Sequence, residues 1–154
     1  MTDYIPAVTD RDVYITRSFA APRDIVWKFW TEPDLIAQWF GPHGIAIDPS
    51  TVAVDAREGG SWELTMEDEQ GIHPLSATIV RMVEPEYLEL VIEAETGLGH
   101  VDNIILRVQF HDHGEKTRVT LHQGPFTEEQ KTATATGWEM SFVTLDAILA
   151  GGLQ

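Results

Sequence analysis

The stretch Thr127-Glu-Glu-Gln-Lys-Thr-Ala-Thr-Ala-Thr-Gly-Trp-Glu-Met-Ser-Phe-Val-Thr-Leu-Asp-Ala-Ile-Leu-Ala-Gly-Gly152 decides the fold. Thr127 suits an N-cap, and Gln130 three residues on completes a capping box. Glu128 and Glu129 suit the positive end of a helix dipole. Trp138, Phe142, Leu145 and Leu149 recur at i, i+4, i+7 and i+11, one face of a helix, and Gly151-Gly152 ends it. About 24 residues at 1.5 Å each give a helix roughly 36 Å long. A chain of this size has a radius of gyration of only roughly 15 Å. Such a helix must cross the whole molecule, and the remaining elements must form the surface it crosses.

Upstream, the pattern is almost all strand. Trp62, Leu64 and Met66 alternate with polar residues, and strands follow at Leu75–Val83, Tyr87–Ala94, His100–Phe110 and Thr117–Gln123. Glu84-Pro-Glu86 and His111-Asp-His-Gly114 read as turns between them, so the sheet is hairpin-connected and antiparallel. A short strand is expected at Thr51–Asp55 and a turn at Arg57–Gly60 and at Gln70-Gly71. Near the start, Val13–Phe19 alternates with period two. Pro22 then opens a helix with an apolar stripe of Ile25, Val26, Phe29 and Trp30, and Pro33 opens a second short one through Gln38. The order strand, two short helices, antiparallel strands, long helix is an α+β layout.

The chain has 154 residues, room for one domain with a substantial core. It has no cysteine, which excludes disulfides, zinc–thiolate sites and thiol catalysis. Ten Lys and Arg against 25 Asp and Glu leave a formal charge of −15. That field repels phosphates, so neither nucleic acid nor an anionic membrane is an expected partner. Met1-Thr-Asp-Tyr-Ile-Pro6 lacks the basic-then-apolar pattern of a signal peptide, and no apolar run approaches the roughly 18 residues of a membrane span. The expected location is the cytoplasm. There is no nucleophile elbow, phosphate loop or dinucleotide fingerprint.

Five motifs in order, Ala21-Pro-Arg-Asp-Ile-Val-Trp27, Trp39-Phe-Gly-Pro42, Glu58-Gly-Gly-Ser-Trp62, Glu84-Pro-Glu-Tyr-Leu88 and Thr136-Gly-Trp138 near Leu145-Asp146, resemble the activator-of-Hsp-ATPase homologue family. That family belongs to the START-related, birch-pollen-allergen-like superfamily, which includes polyketide cyclases. The resemblance runs from Asp12 to Gly151. It implies a helix-grip fold: a curved antiparallel sheet wrapped around the C-terminal helix, with two short helices after the first strand. Residues 1–10 then read as an arm and 11–154 as a single START-like domain. With only about ten residues before the first strand, the separate N-terminal domain through which eukaryotic members contact their chaperone is not expected in this chain, and Phe40 stands where the family pattern often has Trp.

The resemblance also implies a cavity between sheet and helix. Strand parity and helix spacing choose residues that would face it, Trp62, Leu64, Met66, Ile92, Leu106, Val108, Trp138, Ser141, Phe142 and Leu145, and the resemblance implies Phe40 as an entrance residue. His100 and Asp102 are in phase with Ile104 and Leu106, and Gln123 with Val119 and Leu121. An inward His100–Asp102 pair could bind a hydroxyl or move a proton; past the rim, both would be solvated. His111 and His113 could form half a metal site, but the spacing offers no third ligand and a surface turn is the simpler reading. His43 reads as a loop residue, Trp39 as a packing anchor, and Gly137 as a point of close helix approach or plain tolerance. The leading expectation is a small-molecule binding protein with an apolar or aromatic ligand and no cofactor or metal. The alternatives are a cyclase, isomerase or hydrolase using His100 and Asp102, and a regulator of the ninety-kilodalton heat-shock protein ATPase, with that chaperone as partner.

Overall fold

A computed structural model describes residues 7–41, 44–96 and 99–151. Strand β1 (Val13–Phe19) leads into helices α1 (Arg23–Thr31) and α2 (Pro33–Trp39). Short strands β2 (Ala46–Ile47) and β3 (Ala53–Val54) flank a 3-10 turn at Pro49–Thr51. The long strands are β4 (Ser61–Asp68), β5 (Gly71–Val83), β6 (Tyr87–Thr96), β7 (Gly99–His113) and β8 (Lys116–Gly124), followed by helix α3 (Glu128–Ala150). The eight strands form one curled antiparallel sheet in the order β1-β8-β7-β6-β5-β4-β2, with β3 also paired to β4. Helix α3 lies in its concave face, so the molecule has the helix-grip architecture.

The inward parity holds along most strands. Trp62 and Leu64, Leu88, Leu90 and Ile92, Ile104, Leu106, Val108 and Phe110, and Val119 and Leu121 are all buried. Helix α1 presses Trp27 and Trp30 edge-on to Phe110, with ring centroids 5.2 and 6.0 Å away. The α3 capping box is formed: the Gln130 amide donates to Thr127 Oγ1 at 3.2 Å, and the Thr127 amide to Gln130 Oε1 at 3.0 Å.

The chief differences from expectation are at three places. Strand β5 begins at Gly71, not Leu75, because Pro74 sits in the ladder opposite Thr65, where a sequence reader stops the strand. The expected strand at 51–55 shrinks to Ala53–Val54, because Asp48 accepts from Ser50 and turns the chain into a 3-10 helix through Thr51. Strand β7 runs on to His113, paired with Lys116, so the hairpin turn is Gly114-Glu115, and Gly114 takes φ +73° there. His111 and His113 are thus strand residues. The expected loop residue His43 lies outside the described residues, as does the first part of the expected arm at 1–10.

The chain before β1 is tied to β8. His122, in β8, is buried, and its Nε2 lies 2.9 Å from Asp12 Oδ2, which also accepts from the Thr9 amide at 2.9 Å. Gly124 has no side chain because Asp12 occupies the space its Cβ would need. Burial works to raise the Asp12 pKa, but the hydrogen bonds from His122 and Thr9 outweigh it and hold the carboxyl below its ordinary value. A carboxylate with a depressed folded pKa contributes its full stability above the unfolded value, about 3.9, and loses it as pH falls through the folded value. Asp12→Asn should therefore cost about 1–2 kcal/mol at pH 7. Urea unfolding of both proteins should show that difference shrinking below about pH 3.9; a difference that grows on acidification would contradict it.

Candidate functional site

Helix α3 divides into two halves of different chemistry. From Trp138 onward it carries Trp138, Ser141, Phe142, Leu145 and Leu149, all buried. From Glu128 to Gly137 it carries none that is buried. Its sheet-facing positions there are small or polar: Gln130, Ala133, Thr134 and Gly137. Side chains of that size do not reach across to the sheet, and the gap remains open as a cavity of about 1020 Å³. Ile92 and Ala94 of β6, Val101 and Ile104 of β7, Gln123 of β8, Met66 of β4, and Phe40 and Phe126 complete the walls, while Gln70, Glu128, Glu129 and Thr132 line the exposed rim.

The closed end is an aromatic cluster. Trp30 stacks on Trp138 at 5.6 Å, Trp39 on Phe142 at 6.1 Å, and Phe40 stands edge-on to both Trp62, at 5.3 Å, and Trp138, at 5.4 Å. Among the described residues the buried Trp30 indole N–H has no acceptor, whereas three others do, and backbone carbonyls supply two of these. Trp39 Nε1 donates to the Phe29 carbonyl and Trp62 Nε1 to the Trp30 carbonyl, each at 2.8 Å. The third, Trp138 Nε1, donates to Gln123 Oε1 at 2.7 Å. Ser141 Oγ donates to the Gly137 carbonyl at 3.0 Å and accepts from the Gly41 amide at 3.1 Å, which fastens the end of α2 to α3. Gly41 reaches that position at φ +105°, a conformation open to glycine.

Of the residues chosen from the sequence, Phe40, Met66, Ile92, Trp138 and Ser141 line the cavity. Trp62, Leu64, Leu106, Val108, Phe142 and Leu145 are buried in the core and do not line it. His100 and Asp102 do not face inward. The ladder between β6 and β7 shifts between Ile92 and Ala94, where Asn103 adopts φ +56°. One extra residue reverses the alternation, so Val101 points inward and its two neighbours point outward. Asp102 is exposed, and His100 pairs with Glu93 at 3.1 Å on the outer side of the sheet. His111 lies 3.3 Å from Thr120 Oγ1. Burial first, then the charges of Arg118, His113 and Arg23, push its pKa down. Among the described residues no group of three side chains is arranged to hold a metal ion, and no helix is long and apolar enough to cross a membrane.

The sequence reading passed over Ala94, Val101, Phe126, Thr134 and the glutamates of the rim. A signal existed for α3: ten residues from Glu128 to Gly137 contain no large apolar side chain. Truncation should separate the two halves. Phe142→Ala and Leu145→Ala should cost about 2–5 kcal/mol, whereas Thr134→Ala should stay within about 0.5 kcal/mol. Denaturant unfolding checks this; equal costs would mean that the first half is packed too.

Comparison with known proteins places these features in a family. The model of the Activator of Hsp90 ATPase homolog 1-like protein family matches residues 20–150. No curated protein matches in sequence. Among solved structures, a protein from Nitrosomonas europaea superposes with a TM-score of 0.78 at 23% identity, covering 94% of this chain and 97% of its own. The AHSA1 protein from Silicibacter pomeroyi gives 0.78 at 19% identity, covering 92% of this chain and 99% of its own. CalU16 from Micromonospora echinospora gives 0.62 at 24% identity, covering 87% and 73%. At these identities the structures speak for the fold alone, and the family match identifies the chain: it belongs to the Activator of Hsp90 ATPase homolog 1-like protein family.

Proposed function

We propose that this protein binds a small apolar or aromatic molecule in the cavity between α3 and the concave face of the sheet. The observation that carries this reading is the cavity itself: about 1020 Å³, walled largely by apolar side chains, with a few placed polar groups. A space that large is at the upper end of the usual range for ligand sites and well beyond the voids of a packed interior. Binding would draw on apolar burial, roughly 25 cal/mol per Å² before ordering costs.

An enzyme built on His100 and Asp102 gains no support, because both lie outside the cavity, and its described lining contains no histidine. A role toward a chaperone ATPase rests on the description of the matched family.

A thermal-shift screen of neutral polyketides, sterols and flavonoids tests the proposal. A ligand at 100 times its Kd should add about 2.7 kcal/mol of stability, a dose-dependent rise in Tm of several degrees. Thr134→Trp, which leaves the Ser141 hydrogen bonds intact, should take up part of the cavity and reduce the rise. A flat screen, or hits indifferent to Thr134→Trp, would contradict the proposal and favour a protein partner.

A further inference from the structure

The Trp138–Gln123 contact fixes more than the packing of a ring. An indole N–H can only donate. With Trp138 Nε1 2.7 Å away, the Gln123 amide must turn its oxygen toward α3. Its NH₂ group is thereby left on the other side. Gln123 is 6% exposed and lines the cavity, yet among the described residues no hydrogen bond is made by its Nε2. The other buried lining residues offer no free donor: Ile92, Ala94, Ile104 and Phe126 are apolar, Trp138 is committed to Gln123, and Ser141 donates to the Gly137 carbonyl. A donor on the cavity wall that no described protein group engages is open to an acceptor carried by a guest.

The charges of the site point the same way. Glu128 and Glu129 are lining residues, and among the described residues no Lys, Arg or His is. A carboxylate or phosphate would enter past like charge and find no cation among the described lining residues to meet it. We infer that Gln123 is the specificity-determining residue of this cavity, donating through Nε2 to the carbonyl oxygen of an uncharged apolar ligand, a ketone, lactone or ester rather than an acid. Orientation follows: the carbonyl points to β8 and the apolar body lies among Phe40, Ile92 and Ile104. This rests on the ligand-binding reading above and adds to it the class of the ligand.

The test uses three probes of one skeleton on the full chain at pH 7.5: 2-acetylnaphthalene, 2-ethylnaphthalene and 2-naphthoate, with Kd from calorimetry. Gln123→Leu should weaken 2-acetylnaphthalene relative to 2-ethylnaphthalene by about tenfold, the effect of one buried hydrogen bond. In the wild type, 2-naphthoate should bind weakest of the three. The side-chain amide signals of Gln123 in ¹⁵N-resolved NMR should move with 2-acetylnaphthalene and not with 2-ethylnaphthalene, a readout that needs no variant to fold. An unchanged ratio in Gln123→Leu, or amide signals that ignore the ketone, would overturn the role of Gln123 while leaving the cavity reading intact. Naphthoate binding as tightly as the ketone would overturn the exclusion of acids. No binding by any of the three would overturn the cavity reading, and this inference with it.

Discussion

A straight helix laid across a curved sheet fills the space beneath it only where it carries large side chains. In α3 that condition is met by Trp138, Phe142, Leu145 and Leu149 and fails before them. The packed half anchors the helix against the aromatic rings of α1 and α2 and against Phe19 of β1, whose ring centroid lies 5.5 Å from that of Phe142. The capped N-terminal half is carried out over the sheet by helical hydrogen bonding, with Lys131 Nζ donating to the Asp10 carbonyl at 2.9 Å and Ala135 packed against the core, and the cavity lies under it. A fold that would otherwise close on a dry core therefore keeps an open side. Its depth is set by where the tryptophans begin.

The same residues serve structure at one end and the candidate site at the other. Phe40 packs against Trp62 and Trp138 and also faces the cavity. Ser141 ties α2 to α3 and lies in the lining. The flanks of α3 are held by charge: Arg17 of β1 reaches Glu139 at 3.6 Å and Asp146 at 3.8 Å. These are partly exposed pairs, so their weight is modest beside the ring packing. The chain's large negative charge has a local consequence at the rim, where two glutamates border the opening.

What the sequence disclosed was what local physics dictates. The Thr127 cap, the stripe on α3, the two proline-started helices and the alternation in β4, β6 and β8 are short-range patterns, and each was readable. The family was readable from ordered motifs. Three features were not. Pro74 inside β5 and the 3-10 turn after Asp48 depend on neighbours that allow them. The bulge at Asn103 is a single left-handed residue, yet it turned the expected pair His100 and Asp102 to the outside. Asn tolerates that conformation, but the residue type alone does not announce it. The choice among inward residues also needed three dimensions. Leu106 and Ile104 share a face of β7, and only their position relative to α3 makes one core and the other cavity wall.

The central claim is that the space beneath the first half of α3 is open to an apolar guest and the space beneath the second half is not. The direct measurement is a titration of the protein, labelled with ¹³C at isoleucine methyls, with a neutral apolar probe such as 2-ethylnaphthalene. The account predicts saturable shifts at Ile92 and Ile104 and, from the bound naphthalene, nuclear Overhauser contacts to their methyls, with Ile36 and Ile79 unmoved. Shifts spread evenly over all four, or none at saturation of the probe, would contradict it.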